Sequence, residues 1–530
     1  MQRKQQQTTI NTVSAICGAG KSQAFINHIN NFPFDRNYIY CVPTLALADE
    51  LSKKIPSALN LTSNNESLES IGGEIAEAVQ EHGARRKNII ITHRGLKILS
   101  LIIENSENGE IIRRALGGWI LVIDETTEPF ISGKVIPQGE IAESVNILNY
   151  TTQVDVFEKL RDAKTTRKSL TVSDSLAVCE LMNEVYIYST EIQELYYSLL
   201  HGGSVEGAFN TDLNLFTQYD YVCLSPVYDI IPAFRQVHCL GASIQDSPFC
   251  VVGREVFGWK FRLSPAAFQP SIERQAHANQ HLITVISGVS GNPGLTAHGE
   301  DDCKLFKKVC VAAHEKLGNA GFIYASNHNK PAGNFKKEAD RILRNGDRVP
   351  FVSSGVNLYA GLLDKREMGT IPAEKRAVYE QGFCHAVWLG VALLSTTAKG
   401  QIGRYIESLG GKPEPVIKSI EDFQTCEAAY QMLMRCRARR FDNDKPIYLY
   451  VINQYIADYI CERYLPGAKR EHLNISHVSE SKARRADVDQ TIWRLYTQGV
   501  KQAEIAATVK MSLPKVKKTI RAFKDLKKAA

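Results

Sequence analysis

The stretch Thr12-Val-Ser-Ala-Ile-Cys-Gly-Ala-Gly-Lys-Ser22 contains a β-prone apolar run, a glycine turn and a Lys-Ser pair, in that order. A helical pattern from Gln23 to Ile29 follows it directly. Strand, glycine turn, Lys-Ser and helix together form the context that a phosphate loop requires. The stretch therefore predicts an α/β fold in which a parallel strand leads into a phosphate-binding turn.

Each position of this turn has a chemical use. Gly18, Ala19 and Gly20 would let backbone N–H groups close on phosphate oxygens, at the positive end of the following helix dipole. Lys21 would neutralise the β- and γ-phosphates, and the hydroxyl of Ser22 would ligate Mg²⁺. These five residues predict binding of ATP together with Mg²⁺.

An acidic pair follows the apolar run Trp119-Ile-Leu-Val-Ile123, which is typical of a strand buried on both faces. The carboxyl end of such a strand is where open α/β sheets bind ligands. We assign Asp124 to the Mg²⁺ shell, and Glu125 to orienting and deprotonating an attacking water. The alternative is an acidic pair that only initiates a turn.

Two further predicted strands end in polar loops. Thr44 follows the strand at Tyr38–Val42, and Thr92 with His93 follows the strand at Asn88–Ile91. Both threonines could donate to nucleic-acid phosphates without reading the base sequence. For His93, a purely structural role in the loop is an equal alternative.

A glutamine and several arginines lie together in Tyr430-Gln-Met-Leu-Met-Arg-Cys-Arg-Ala-Arg-Arg440. Helical spacing would place Gln431, Arg435 and Arg439 on one face. Such arginines can stabilise charge on a transferring phosphoryl group. Arg437 is an alternative to Arg439 as the second arginine. A basic helix that only touches a nucleic-acid backbone is the other interpretation.

The stretch Ala-Ile-Cys-Gly-Ala-Gly-Lys-Ser22 resembles the A-x-x-G-x-G-K-[ST] motif of superfamily 2 (DEAD/DEAH-like) DNA helicases of the phage or plasmid type. VPTLALADEL resembles motif Ia, IITHRGL the T-x-H region, Ala242-Ser243 motif III, the loop containing Gly355 motif V, and the arginine stretch motif VI. Motif VI departs from the family pattern, with Met434 in place of a glycine and Ala438 in place of the second arginine.

This resemblance covers roughly residues 10–455. It implies two RecA-like lobes with parallel sheets, ATP and Mg²⁺ in the cleft between them, and Gly355 in contact with nucleotide. It also implies single-stranded DNA bound across the lobes. We expect lobe 1 at 1–265, with a helical insertion at about 128–235, and lobe 2 at 278–455. A linker is expected at 456–484.

Positive charge is concentrated in residues 481–530, which hold 13 Lys or Arg and 4 Asp or Glu. Residues 485–530 predict three short helices and resemble the helix-turn-helix of sigma-factor region 4 and of resolvase tails. Its last helix would contact the backbone of duplex DNA. The alternatives are a protein-docking bundle, RNA contact or a solvated lysine-rich tail. The residues expected at the DNA are Lys515, Lys517, Lys518 and Arg521.

Several classes are disfavoured by composition. We find no apolar stretch of about 18 residues, which a membrane span would need, and no C-x-x-C pair that would indicate zinc. The twelve cysteines fit buried thiols of a cytoplasmic protein. The expected function is ATP-dependent DNA unwinding in replication or repair. The alternatives are a duplex-DNA translocase that does not unwind and a nucleotide-sensing DNA-binding regulator.

Overall fold

A computed structural model provides the three-dimensional structure of the chain. It describes residues 8–529 except 33–35, 56–57, 63–67, 83–87, 138–150, 157–164, 176–177, 179–189, 214, 272–275, 329–332, 353–357, 363–367, 476–479 and 510. The predicted motif V loop with Gly355 lies outside the described residues.

Lobe 1 is built on a seven-stranded, wholly parallel sheet in the order β12-β1-β11-β5-β2-β4-β3, in which β11 is Gln236–Gly241 and β12 is Lys260–Leu263. Its Ile- and Val-rich strands alternate between two apolar clusters, so both faces of the sheet are buried. Its elements before the insertion are β1 (Thr9–Ser14), α1 (Lys21–Asn31), β2 (Asn37–Val42), α2 (Leu45–Lys54), β3 (Ala58–Asn60), α3 (Leu68–His82), β4 (Asn88–Thr92), α4 (His93–Asn105), α5 (Gly109–Ala115) and β5 (Trp119–Asp124).

The inserted region is mainly a five-stranded antiparallel sheet in the order β6-β10-β9-β8-β7, so the prediction of a helical insertion was wrong. Residues 157–168 have the apolar spacing of a helix, but the described part, 165–168, belongs to a strand, because TTRKSLTV is rich in β-branched residues and pairs with strands on both sides. Residues 173–200 also have helical spacing, and within them the described residues 175, 178 and 190–200 are helical. The elements are β6 (Phe130–Val135), β7 (Thr151–Asp155), β8 (Thr165–Val172), α6 (Thr190–Leu200), β9 (Ser204–Asn210) and β10 (Leu215–Leu224).

The chain then completes the lobe 1 sheet and enters lobe 2, whose six-stranded parallel sheet has the order β15-β14-β16-β17-β13-β18. The elements are α7 (Val227–Ile230), β11 (Gln236–Gly241), α8 (Pro248–Phe257), β12 (Lys260–Leu263), β13 (Ile283–Val289), α9 (Leu295–Leu317), β14 (Phe322–Ser326), α10 (Phe335–Leu343), β15 (Arg348–Pro350), α11 (Ala373–Gln381), β16 (His385–Leu389), α12 (Thr396–Ser408), α13 (Pro413–Asp422), α14 (Ala428–Leu433), β17 (Ile447–Asn453), α15 (Gln454–Arg463) and β18 (Lys469–Ile475).

The expected linker at 456–484 was also wrong. It contains most of α15, and β18 pairs in parallel with β13 at the edge of the lobe 2 sheet. The strand Lys-Arg-Glu-His-Leu-Asn-Ile475 begins with four charged or polar residues, and its side chains are exposed or half-buried, as suits the edge of a sheet. Lobe 2 therefore extends to residue 475.

A helical pair from the lobe 2 part of the sequence packs against lobe 1. Ile406 of α12 and Val416 of α13 are buried in the lobe 1 core. Gln401 donates to the carbonyl oxygens of Ser204 (2.9 Å) and Asp220 (3.1 Å) in the inserted sheet. This α12–α13 pair thus connects both lobes and the insertion.

The C-terminal region forms three helices with an apolar core of their own, centred on Ile492, Ile505, Val516 and Ile520. The rings of Trp493 and Phe523 stack at 5.3 Å. The helices are α16 (Glu480–Thr497), α17 (Gln502–Thr508) and α18 (Leu513–Ala529), close to the three that the sequence predicts. Across the described part of the chain, no helix is long and apolar enough to cross a membrane.

Candidate nucleotide site between the two lobes

The phosphate-loop sequence forms a turn between β1 and α1, as its pattern predicts. Gly18 (φ 83°) and Gly20 (φ 86°) have left-handed backbone conformations, which glycine adopts without strain. No side chain caps α1 at Gly20, so its first N–H groups face the turn. Lys21 Nζ donates to the carbonyl oxygens of Ala15 (2.8 Å) and Ile16 (3.1 Å). The lysine is thus folded over the turn where phosphates would lie.

Asp124 ends β5 directly beside this turn. Its Oδ2 accepts hydrogen bonds from Ser22 Oγ (2.5 Å) and from the Tyr40 hydroxyl (3.2 Å). Burial raises the pKa of Asp124, while Ser22 and Lys21 oppose that rise. A hydroxyl and a carboxylate in contact beside a lysine are a donor set that fits Mg²⁺ bound to a polyphosphate.

Glu125 has a left-handed backbone conformation (φ 60°) that is uncommon for glutamate. Such strain costs roughly 1–3 kcal/mol and often marks a functional position. Its N–H donates to Leu240 O (2.9 Å), which fixes the turn. Burial and the neighbouring Asp124 raise the pKa of Glu125, whereas Arg435 and Lys21 lower it. A carboxylate with a raised pKa is suited to accept a proton.

The arginine stretch is not one continuous helix, so that part of the prediction was wrong. The helix α14 ends at Leu433, and a short 3-10 turn covers Arg437–Arg439. Met434, Cys436 and Ala438 all enter the lobe 2 core. Residues two apart on a helix lie on nearly opposite sides, so a continuous helix could not bury all three.

Arg435 and Arg439 nevertheless both face the phosphate loop of lobe 1. A Cβ placed on Gly18 would lie 3.1 Å from Arg439 Cγ. Burial raises the pKa of Cys17, and Lys21, Arg435 and Arg439 all lower it. Burial lowers the pKa of Arg439, and the positive charge of Arg435 lowers it further.

Arg437 lies elsewhere. Its Nη1 contacts Cys384 Sγ at 3.9 Å, and its N–H donates to Phe383 O at 2.8 Å, both within lobe 2. Of the two alternatives for the second arginine, the geometry favours Arg439. Gln431 is half-buried on α14.

The loop threonines cap helices. The Oγ1 atoms of Thr44 and Thr92 accept from Leu47 N (3.3 Å) and Gly95 N (3.1 Å). His93 Nε2 bonds to the carbonyl oxygen of Asp124 at 3.1 Å, and burial lowers the pKa of His93 to about 4. A neutral His93 therefore donates to this oxygen and supports the acidic pair.

Sequence reasoning missed a second set of lobe-to-lobe contacts. The Tyr430 hydroxyl accepts from Cys17 N (3.1 Å) in the phosphate loop and bonds to His277 Nε2 (2.9 Å). Tyr464, which fell in the expected linker, bonds to Ser243 at the end of β11. Cys17 and Tyr430 are 413 positions apart, and no local pattern links residues so distant.

On the C-terminal unit, the four residues expected at DNA are all exposed. They lie on α18, whose opposite side contributes Val516 and Ile520 to the small core. The exposed residues are Lys515, Lys517, Lys518 and Arg521.

The sequence matches no protein-family model and no curated protein. Among solved structures, S. tokodaii Xpd4 is 10% identical, with a TM-score of 0.39 over 88% of this chain and 96% of that one. The DUF1998 helicase MrfA bound to DNA and AMPPNP is 12% identical, with a TM-score of 0.26 over 91% and 51%. S. cerevisiae Dbp5 bound to RNA and ADP BeF3 is 9% identical, with a TM-score of 0.28 over 92% and 89%. These values are too low to transfer a function.

Proposed function

We propose that the chain is an ATP-dependent DNA helicase that acts in replication or repair in the cytoplasm. One observation carries the proposal: Arg439 of lobe 2 lies against the phosphate loop of lobe 1, so that a Cβ on Gly18 would come within 3.1 Å of Arg439 Cγ. A site that needs both lobes for hydrolysis can convert a change of bound nucleotide into relative movement of the lobes.

Each residue has a proposed task in hydrolysis. Backbone N–H groups from Gly18 to Gly20 and the Lys21 ammonium bind the phosphates. Mg²⁺, held by Ser22 and Asp124, would neutralise charge on the phosphate oxygens. Glu125 orients a water and takes its proton.

The arginines complete the proposed site from lobe 2. Arg435 and Arg439 stabilise charge on the transferring phosphoryl group, and they do so only while lobe 2 lies against lobe 1. Gln431 and, by the family resemblance, Gly355 also belong to the proposed nucleotide contacts.

A cavity of about 410 Å³ beside the phosphate loop is the proposed place of the nucleobase. It lies between the outer side of α1 and the chain at 267–271, and amide side chains line it. Gln23, Asn27 and Gln269 offer donors and acceptors that could meet the edge of an adenine.

We propose single-stranded DNA as the ligand across the lobes, with Thr44 and Thr92 at its backbone, and duplex DNA as the ligand of residues 485–530. The exposed basic side chains on α18 support the second contact, because lysine and arginine side chains that bind phosphates displace counterions from them. The C-terminal unit would then hold duplex DNA while the two lobes move along the single strand.

The test is the ATPase rate of the full chain with single-stranded DNA, duplex DNA, RNA or no nucleic acid, beside a strand-displacement assay. The proposal expects stimulation by single-stranded DNA and displacement of a labelled strand, both absent in Glu125→Gln. Stimulation by duplex without displacement would identify a translocase. An ATPase rate that is indifferent to nucleic acid and to Glu125→Gln would favour a nucleotide-sensing regulator.

A further inference from the structure

A buried tyrosine pair connects the phosphate loop to lobe 2. Tyr430 and Tyr464 stack with ring centroids 3.8 Å apart and an interplanar angle of 9°. Tyr430 is fully buried and Tyr464 is 5% exposed. Each ring carries a hydroxyl that contacts lobe 1 or the chain between the lobes, so the pair lies at their junction.

The Tyr430 hydroxyl is satisfied on both sides. It accepts from Cys17 N (3.1 Å), and burial lowers the pKa of His277 to about 4, so the neutral His277 Nε2 at 2.9 Å can accept its proton. The amide of the loop therefore depends on an oxygen from the other lobe. Without that oxygen, the part-buried N–H of Cys17 would lose its hydrogen-bond partner.

The Tyr464 hydroxyl bonds to Ser243 of lobe 1 and to Glu427 of lobe 2. Glu427 also accepts from the Tyr459 hydroxyl at 2.7 Å. It is the last residue of a π-helical turn at Phe423–Glu427, which separates α13 from α14. π-Helical turns of this kind are frequent at functional sites.

These contacts end at the two segments of lobe 1 that flank the proposed nucleotide position. Ser243 follows β11, which lies between the phosphate-loop strand β1 and the acidic-pair strand β5. Tyr430 belongs to α14, which ends directly before Arg435. Any shift of Tyr430 relative to Cys17 must therefore also shift the arginines relative to the phosphate loop.

We infer that Tyr430 and Tyr464 are positioning residues that set the distance between the phosphate loop and the lobe 2 arginines. The inference rests on the proposed nucleotide hydrolysis, and neither tyrosine is expected to touch the substrate. Their loss should lower kcat for ATP more than it changes KM, because the loop itself remains able to bind phosphates.

The decisive variant is Tyr430→Phe, which keeps the stacked ring and removes the hydroxyl. We expect kcat to fall about 10- to 100-fold, since a misplacement near 1 Å costs about 100-fold, with KM for ATP little changed. The matched control is Tyr450→Phe. That hydroxyl is also buried in lobe 2 but donates to Val309 O at 3.2 Å, within the lobe. The control should lose comparable thermal stability and keep its kcat.

A second measurement tests the contact between Tyr430 and Cys17 without depending on ATP hydrolysis. Hydrogen exchange of the amides at residues 15–20 should accelerate in Tyr430→Phe and stay unchanged in Tyr450→Phe. If the wild-type chain does not hydrolyse ATP, the proposed function is wrong. The exchange difference still shows whether the Tyr430 hydroxyl protects the phosphate loop. Unchanged exchange in Tyr430→Phe, or a kcat equal to that of Tyr450→Phe, would overturn the inference.

The Ser243–Tyr464 bond is tested by a double-mutant cycle in kcat. If Ser243→Ala and Tyr464→Phe remove the same contact, the double variant should lose little more than the larger single loss. If the two losses in kcat multiply, the two residues act independently, which would contradict a shared contact between Ser243 and Tyr464.

Discussion

Replacing the arginines one at a time gives the sharpest test of the site, because the sequence offers three and the geometry selects two. Arg435→Ala and Arg439→Ala remove guanidinium groups that face the phosphate loop. Arg437→Lys alters a side chain that contacts Cys384 inside lobe 2. Compared with Arg439→Lys, the same change at position 437 separates a role in the cleft from a general effect of replacing an arginine.

The expected magnitude follows from Coulomb's law. Two unit charges about 4 Å apart at an effective dielectric constant near 20 interact by about 4 kcal/mol. At about 1.4 kcal/mol per factor of ten, that corresponds to roughly a 1,000-fold loss of kcat. This lies at the lower end of the roughly 10³–10⁵ range for an arginine that stabilises phosphoryl transfer. Arg437→Lys should keep kcat within a small factor of wild type.

The assay is steady-state ATP hydrolysis by the full chain with saturating single-stranded DNA, with thermal unfolding as a check on folding. Arg439→Lys adds a graded comparison, because lysine keeps the charge but not the planar fork of donors. If Arg439→Ala keeps more than a tenth of wild-type kcat while Arg437→Lys loses most of it, the assignment of the second arginine is refuted.

Three other perturbations have defined outcomes. Glu125→Gln should keep ATP binding and lower kcat by a factor of about 10²–10⁴. In the wild-type protein, burial raises the pKa of Glu125, so its basic form is lost at a higher pH. The acidic limb of the pH profile of kcat should therefore lie above the usual glutamate pKa. Removing 485–530 should leave basal ATPase intact and flatten the salt dependence of DNA binding. Arg404→Ala, which breaks the 2.7 Å pair with the buried Glu206, should destabilise the chain by about 1–3 kcal/mol and lower Tm. The pair lost in Arg341→Ala lies within one helix and its arginine is 60% exposed, so it should contribute at most about 1 kcal/mol. Equal Tm values for those two variants would contradict the docking role of α12.

Local patterns predicted those features that depend on neighbours in the sequence. The turn from Gly18 to Gly20, the buried strand ending at Asp124, and the three C-terminal helices all appear in the structure where the sequence indicates them. Each is dictated by backbone preferences or by a short apolar period, so a few consecutive residues suffice. The tasks of the site residues remain predictions.

The predictions of a helical insertion and of a linker at 456–484 were wrong for a physical reason. Helix and strand periods cannot be told apart in short, mixed segments such as Thr165–Val172, where pairing with β7 and β9 decides the outcome. Likewise, Lys469–Ile475 has no strong strand pattern and becomes a strand because β13 offers an open edge.

The sequence by itself determined a glycine turn before a Lys-Ser pair, an acidic strand end, a cluster of arginines and a basic C-terminal unit. Only the tertiary structure decided which arginines meet the turn, and it brought Tyr430 to Cys17 across 413 positions. Packing of two sheets and of the α12–α13 pair sets those distances, and such packing depends on contacts among segments that no local pattern encodes.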